Sequence, residues 1–206
     1  MIELLVGTTN QKKFAEVQAF LGLLPLRILS LKSLGNWPAI VEDGTTFEDN
    51  ALKKARTLAE YTGYLTLADD SGLEVDALGG APGIYSARYC GEESNDHKNN
   101  EKLLHELRGV PEEKRTARFI CALALCRPNS RGFREWTARK SCEGRIAFGP
   151  KGDYGFGYDP LFFYPPFGKT FGEIDQETKA TVSHRGKALQ KLAEMLPTLF
   201  DLNAKP

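Results

Sequence analysis

The stretch YLTLADDSGLEVD, residues 64–76, decides how the chain folds around its most unusual feature. It sets Asp69 and Asp70 side by side, between an apolar run and the Ser71-Gly72 pair. Because successive side chains of a strand point to opposite faces, the two carboxylates cannot share a task while the strand stays regular. We therefore expect two strands, LTLAD and LEVDAL, on either side of an Asp-Asp-Ser-Gly turn that releases one aspartate.

Two adjacent carboxylates also predict a bound cation. They raise each other's pKa unless a positive charge neutralises them, and a divalent ion with oxygen ligands leaves both ionised, which favours Mg²⁺. The structural alternative is an Asx-turn in which one aspartate caps Ser71-Gly72. The availability of Glu42, Lys13 and Lys54 elsewhere in the chain shifts the interpretation toward a metal and phosphate site.

The first half of the chain alternates strands with helices. IELLV is a short buried strand, a helix runs from about Lys12 to Leu21, and a strand lies near LRILSL. The segment TTFEDNALKKARTLAEYTG predicts a helix that begins with a capping box, Thr45 with Glu48, and ends at Gly63. A further helix, NDHKNNEKLLHELRG, is closed by Gly109.

The second half is richer in strands. TARFICALALCRP and FREWTARKSCEGRI read as two long neighbouring strands joined at residues 128–130. A last helix begins near Ser183 and is stopped by Pro197. We expect an α/β protein with a mixed sheet and helices packed on it, and one domain over residues 1–206.

Composition excludes several classes of protein. No apolar run approaches the roughly 18 residues needed to span a bilayer, and the N-terminus does not resemble a secretory signal, so we expect a cytoplasmic protein without a membrane partner. Lys plus Arg equals Asp plus Glu at 27 each, which argues against a nucleic-acid partner. The four scattered cysteines show no zinc-ligand spacing and are expected to be reduced thiols.

The loop VGTTNQKK lies between a strand and a helix, where backbone N–H groups and the helix dipole favour an anion. It is not a P-loop, because Lys12 and Phe14 stand where that motif needs Gly and Ser or Thr. The alternative is that Asn10 only caps the helix. Lys13 favours the anion site, because a cation in a first turn opposes the dipole unless an anion is bound.

Lys54 is predicted to lie on the apolar, core-facing side of its helix, where a lysine is unexpected. At 100° per residue it falls within the apolar stripe, whereas Lys53 and Arg56 project toward solvent and Asn50 flanks the stripe. A lysine there needs a compensating anion, unless its stem is buried and its ammonium reaches water. Glu42, just before the helix, can meet it.

Late segments predict a base-binding pocket. FGPKGDYGFGYDPLFFYPP interleaves glycines, which permit close backbone approach, with aromatic rings on which a base can stack, although it can also be plain turn packing. TKATVSHRGKAL adds Lys179 and the His184-Arg185 pair in a helical first turn, which suits oxo groups or phosphate.

Five motifs in order, TTNxxK, FEDNALKKA, ADDSGLEVDALGGAPGIYSARY, FGYDP and SHRGKAL, resemble the inosine triphosphate pyrophosphatases, which clear deaminated purine nucleoside triphosphates. The resemblance spans nearly the whole chain. It implies an elongated mixed α/β fold with two lobes around a central nucleotide cleft, a homodimer, and Mg²⁺-dependent hydrolysis of a nucleoside triphosphate to the monophosphate and pyrophosphate.

The resemblance also implies roles for individual residues. Glu42 and Asp70 would bind the metal, Asp70 would accept a proton from the attacking water, and Lys54 would act with it on the phosphates. Asp69 and Ser71 would support them. The remaining substrate-binding residues would be Thr8, Thr9, Asn10, Gln11, Lys12, Lys13, Ser71, Phe156, Gly157, Tyr158, Asp159, Lys179, His184 and Arg185. Thr9 departs from the Gly that relatives often carry, which could change how closely the loop approaches phosphate.

Other functions remain open from the sequence. The same metal site could serve a pyrophosphatase for other altered or pyrimidine nucleotides. A sensor that binds a triphosphate without cleaving it belongs to another class, and a nucleic-acid-binding module is the weakest option because the net charge is zero.

Overall fold

The computed structural model describes residues 2–91, 95–130 and 132–199. Its helices are α1 Gln11–Leu21, α2 Phe47–Thr62, α3 Asp96–Glu106, α4 Gln176–Val182 and α5 His184–Leu199. Its strands are β1 Ile2–Val6, β2 Leu26–Ser30, β3 Leu65–Val75, β4 Thr116–Asn129, β5 Gly132–Ile146, β6 Phe162–Tyr164 and β7 Lys169–Thr170.

The strands form one mixed sheet in the order β2-β1-β3-β4-β5-β6-β7. β1 pairs in parallel with both β2 and β3, as the helical connections between them require, whereas β6 pairs antiparallel with β5 and β7. The expected mixed sheet with flanking helices is confirmed, and the two long strands β4 and β5 are neighbours in the sheet as predicted.

The fold divides into two compact units, each with its own core. Unit 1 comprises the described residues of Met1–Asp70, Cys121–Lys140 and Gly186–Pro206, and unit 2 those of Ser71–Ile120 and Ser141–Arg185. In unit 1, apolar side chains of β1, β3, β4, α1 and α5 pack together, with Leu4 and Leu192 fully buried. In unit 2, Leu73, Leu103, Phe162 and Phe171 belong to a separate apolar cluster.

The expected turn at Asp69-Asp70 is wrong, because β3 runs without interruption through Asp-Asp-Ser-Gly. No turn is needed, since each aspartate finds a cation on its own side of the strand. The opposite-face argument still holds, because the two carboxylates contact different lysines.

Two helix boundaries and one additional helix differ from the predictions. The N-cap of α2 is Thr46, whose side chain accepts from the Asp49 N–H, rather than Thr45. Pro197 lies inside α5 and does not stop it: proline removes one helical hydrogen bond, but the adjacent Leu196 is fully buried and keeps the last turn packed on the core. α4 was not predicted, because its seven residues carry no apolar periodicity.

Helix ends otherwise follow the sequence. Gly63 ends α2 with a φ of 75°, a left-handed conformation that glycine adopts without strain. α3 ends at Glu106, and Gly109, with φ 76°, completes the turn after it. Within the described residues, no helix combines the length and the apolar character that crossing a bilayer demands. All four cysteines are unbonded to one another.

Candidate functional site

The two adjacent aspartates of β3 have separate partners in unit 1. Lys13 Nζ from α1 donates to Asp69 Oδ1, and the buried Cys121 thiol of β4 donates to Asp69 Oδ2 at 3.2 Å. Asp70 faces α2 instead, where Asn50 Nδ2 donates to its Oδ2 at 3.1 Å. The anion that compensates Lys13 in this structure is therefore a carboxylate of the protein.

Lys54 lies between two carboxylates. Its Nζ is 3.1 Å from Glu42 Oε2 and 3.6 Å from Asp70 Oδ1. Only 12% of the Lys54 side chain is exposed, so its ammonium is not simply reaching for water. We call Glu42, Asn50, Lys54 and Asp70 the Lys54 cluster.

The sequence of α2 presents this cluster by its periodicity. Phe47, Ala51, Ala55 and Leu58 bury the apolar stripe. Lys53 and Arg56 point outward, to Asp43 at 2.6 Å and to Glu135 Oε2 at 2.7 Å. The predicted orientation of the two outer cations and of Lys54 is confirmed.

Asn50 connects Asp70 to the segment that carries Glu42. Its Oδ1 accepts from the Gly44 N–H at 2.8 Å while its Nδ2 donates to Asp70. A Cβ at position 44 would lie 2.7 Å from the same Oδ1, so only glycine permits this approach. The buried amide thus fixes both carboxylate-bearing segments relative to each other.

The pKa of Asp70 lies above its ordinary value. Burial is the main cause, since it penalises the charged form, and the Glu42 carboxylate acts in the same direction. Lys54, Lys13 and the Asn50 hydrogen bond oppose the rise. A carboxylate with a raised pKa is a better proton acceptor than an ordinary aspartate.

The donor set fits a hard cation that keeps part of its water. Among the described residues no group of three or more His, Cys, Asp or Glu side chains could enclose a metal. Glu42 and Asp70 nevertheless bring carboxylate oxygens within 3.6 Å of a single positively charged nitrogen. Mg²⁺ is typically held by one or two carboxylates, with water and phosphate oxygens as its other ligands.

The residues of the first loop are arranged around the start of α1. Asn10 caps the helix, accepting from the Lys12 and Lys13 N–H groups, and Thr8 Oγ1 accepts from the Asn10 N–H. Gln11 Nε2 donates to the Thr9 carbonyl at 3.5 Å. Thr9, Gln11 and Lys12 are exposed. The capping role that the sequence suggests for Asn10 is present.

The second group of predicted residues lies in unit 2 and centres on a buried ion pair. Lys179 Nζ of α4 is 2.5 Å from Asp159 Oδ2, with 3% and 2% of the two side chains exposed. The same Asp159 oxygen accepts from the Phe156 N–H at 2.8 Å. A Cβ on Gly155 would lie 2.0 Å from that oxygen, so glycine is required there.

Two cationic side chains lie near the Phe156 ring. Lys179 Nζ lies 5.2 Å and the Arg185 guanidinium 5.6 Å from its centroid. Arg185 also donates to Ser71 Oγ at 2.7 Å. The His184 ring is stacked on Phe119 at 4.8 Å between centroids. Unit 2 therefore gathers an aromatic face and several donors around one loop.

Tyr158 and Gly157 serve the loop itself. The Tyr158 hydroxyl donates to the Ser86 carbonyl at 2.8 Å, and burial raises the pKa of this hydroxyl well above its ordinary value. The Gly157 N–H and carbonyl are bound by side chains of α3. The structure thus places all predicted residues in two groups, one in each unit.

Some residues at these groups were not predicted as site residues. The helical periodicity places Asn50 only at the edge of the apolar stripe, although a polar side chain there is itself a signal of a buried partner. Cys121 and Asp96 gave no signal, because their partners are 52 and 61 residues away in sequence.

Sequence comparison agrees with these observations. The sequence model of the Ham1 family matches residues 4–195. The chain belongs to the Ham1 family. Its resemblance to inosine triphosphate pyrophosphatases is confirmed by relatives of about half-identical sequence. A protein from Desulforamulus reducens named dITP/XTP pyrophosphatase is 50% identical over 199 residues, covering 97% of this chain and 98% of that protein.

Two further comparisons extend the family assignment. A dITP/XTP pyrophosphatase from Geobacter sulfurreducens is 51% identical over 196 residues, or 95% of this chain and 97% of that protein. The solved structure of a HAM1 protein from Coxiella burnetii matches with a TM-score of 0.88 at 38% identity, covering 96% of this chain and all of that one. The Ham1 fold therefore extends over nearly the whole chain.

Proposed function

We propose that the chain hydrolyses deaminated or otherwise non-standard purine nucleoside triphosphates, such as ITP, dITP and XTP, to the monophosphate and pyrophosphate. The observation that carries the proposal is a Lys54 ammonium held between two carboxylates in a chain half-identical to proteins named dITP/XTP pyrophosphatase. The reaction cleanses the nucleotide pool and belongs to nucleotide metabolism.

Water attacks the α-phosphorus, and the protein positions the triphosphate and activates the nucleophile. Asp70 accepts a proton from the water, and the neighbouring Lys54 and Asn50 hold its carboxylate in place for that role. Lys13 and Lys54 exchange carboxylate partners for phosphate oxygens, which stabilises charge that develops on the leaving pyrophosphate. No covalent intermediate is required.

Glu42 and Asp70 would hold Mg²⁺, which when bound supplies positive charge against the triphosphate and polarises the phosphoryl group. The protein's own contribution is to keep the two carboxylates apart and oriented. Asn50 does this through its two hydrogen bonds, to Gly44 and to Asp70.

Base recognition rests on the donors of unit 2. The purine stacks on Phe156, and the 6-oxo group of hypoxanthine or xanthine accepts from His184 and Arg185. Adenine presents an amino donor at this position and leaves those donors unpaired. A site built on such hydrogen bonds can reject the mismatched base by roughly 10⁴-fold.

The test is pyrophosphate release from ITP, XTP, dITP, dUTP, dTTP, GTP and ATP, each with Mg²⁺ and with EDTA. We expect release from the first three, dependent on Mg²⁺. Faster release from dUTP or dTTP would assign the site to pyrimidine nucleotides, and tight binding without release would make the protein a sensor.

The assembly and location follow from the same proposal. We infer a cytoplasmic homodimer that binds no nucleic acid, as the family resemblance and the zero net charge suggest. Light scattering tests the dimer, and oligonucleotide binding that weakens steeply with salt would contradict the last point.

A further inference from the structure

Two side chains near the start of α3 bind one residue of the proposed base-binding loop. The Gly157 N–H donates to Asp96 Oδ2 at 2.7 Å, and Asn100 Nδ2 donates to the Gly157 carbonyl at 3.0 Å. Asp96 and Asn100 are four residues apart, so they lie on the same face of the helix. We call these two side chains the Gly157 clamp.

The clamp fixes the main chain on one side of Phe156, and Asp159 fixes it on the other. The Phe156 N–H donates to Asp159 Oδ2 at 2.8 Å. Gly157 has a φ of 61°, a left-handed conformation in which its N–H and carbonyl can be met from the same helix. The direction of the Phe156 ring is therefore set by two anchors that flank it.

The helix that carries the clamp is itself anchored on its neighbouring face. Asn99 accepts from the Cys90 N–H at 2.8 Å and donates to the Ala87 carbonyl at 3.1 Å. Tyr158, next to the clamped glycine, donates to the Ser86 carbonyl at 2.8 Å. A rigid support is what a stacking surface needs if it is to hold a base in one orientation.

One atom of the Asn100 amide is expected to destabilise the fold. Its Oδ1 is buried and has no hydrogen-bond partner among the residues that the structure describes. A buried unpaired acceptor destabilises a protein, so an apolar or smaller side chain would suit the site if packing were its only purpose. The hydrogen bond from Nδ2 to the Gly157 carbonyl is what distinguishes asparagine at this position.

We propose that Asp96 and Asn100 are positioning residues that orient Phe156 and so sharpen the choice of base. The inference rests on the proposed hydrolysis of purine triphosphates and deepens it. The clamp belongs to unit 2 and the Lys54 cluster to unit 1, so we expect loss of the clamp to affect binding of the base more than the chemical step.

The variants are Asp96→Ala, Asp96→Asn and Asn100→Ala. We expect Asp96→Ala and Asn100→Ala to raise KM for ITP by about tenfold and to change kcat by less than about threefold. The ratio of kcat/KM for ITP to kcat/KM for ATP should fall by about tenfold. Asp96→Asn keeps an acceptor for the Gly157 N–H and should retain most of the discrimination. Inhibition by pyrophosphate, which has no base, should be unchanged in all three.

Asn95→Ala is the matched control. Asn95 caps the same helix by accepting from the Lys98 N–H at 3.0 Å, but it does not bond to Gly157. It should lower Tm about as much as Asp96→Ala and leave KM and base discrimination at wild-type values. Amide hydrogen exchange should accelerate at residues 156–158 in Asp96→Ala and not in Asn95→Ala.

The outcomes separate two failures. If the wild type releases no pyrophosphate from any purine triphosphate, the proposed function fails, and this inference fails with it. If the wild type is active but Asp96→Ala and Asn95→Ala have the same KM and the same base discrimination, only the proposed positioning role of the Gly157 clamp is contradicted. Unchanged exchange at residues 156–158 would overturn it as well.

Discussion

The Lys54 cluster of unit 1 and the Lys179–Asp159 pair of unit 2 both join a lysine to carboxylates, but they differ in how much of their side chains is exposed to solvent. In the Lys54 cluster, a third of the Glu42 side chain is open to solvent and the lysine is shared between two carboxylates. The Lys179–Asp159 pair is almost fully buried at 2.5 Å, and its aspartate is held by a main-chain N–H as well.

This difference separates a group that can change partners from one that cannot. An ammonium at a water-accessible site can exchange a carboxylate for a phosphate oxygen at little cost. A sealed pair cannot, because removal of either member leaves an uncompensated charge in a poorly polarisable interior. We infer that the Lys54 cluster acts on the ligand directly, whereas the Lys179–Asp159 pair shapes the loop that meets the base.

The largest expected effect is on turnover, from Asp70→Asn. The change keeps the side-chain shape and removes a charge that burial disfavours, so the fold should be retained while ITP hydrolysis falls by about 10³-fold. The measurements are pyrophosphate release and thermal unfolding. The control is Asp43→Asn, which alters an exposed carboxylate paired with Lys53; near-normal turnover by Asp70→Asn would remove Asp70 from the mechanism.

The next largest effect is on stability, from Lys179→Met. Asp159 would be left buried without its cation, which should lower the free energy of unfolding by about 3–5 kcal/mol. The double variant Lys179→Met/Asp159→Asn should recover much of that loss, because no unpaired charge remains. Urea unfolding measures both, and strict additivity of the two substitutions would argue that the pair is not coupled.

The stability of Lys54→Met compares the Lys54 cluster with the Lys179–Asp159 pair. The sequence alone suggests that methionine suits the apolar stripe, but the geometry reverses this expectation, because Glu42 and Asp70 lose their shared cation. We expect a loss of about 1–3 kcal/mol, smaller than for Lys179 because water still reaches Glu42. Lys53→Met, on the solvent side of the same helix, should stay within about 0.5 kcal/mol.

Turnover distinguishes the same two lysine variants. ITP hydrolysis per folded molecule should fall sharply in Lys54→Met and stay normal in Lys53→Met. If Lys54→Met is strongly destabilised but hydrolyses ITP normally per folded molecule, Lys54 has a purely structural role.

The smallest effect concerns Cys121, which donates to Asp69 and so helps to hold Lys13. Cys121→Ala should raise KM for ITP by about threefold, since one weak hydrogen bond is lost. Cys121→Ser keeps a donor and should restore the wild-type value. Cys126→Ala serves as the control, because it removes another fully buried thiol of β4 that donates to Glu135 rather than to Asp69. Equal changes in the two alanine variants would contradict a specific role for the bond to Asp69.

Much of the fold follows from local pattern. The periodicity of residues 45–63 predicts α2 and the inward direction of Lys54, and the alternation of strands and helices predicts a mixed sheet. The continuous strand through Asp69-Asp70 was not predictable in this way. Its two aspartates are paired with Lys13 and Lys54, which come from two different helices.

The candidate site follows the same division. Residues whose type conflicts with their local position, such as Lys54 on an apolar stripe, can be found from the sequence. Residues that position others, such as Cys121, Asp96 and Asn100, carry no local conflict. Their role depends on partners that lie far away in the chain.

The sequence by itself determined the helices, most strands, the family and the set of polar residues available to a nucleotide. Periodicity and composition are properties of neighbouring residues, so they can be read without coordinates. Only the tertiary structure decided that Asp69 and Asp70 have separate lysines, that Lys54 is shared, and that α3 holds Gly157. Those facts depend on hydrogen bonds and ion pairs between distant segments, and their strength depends on how much water the folded chain excludes.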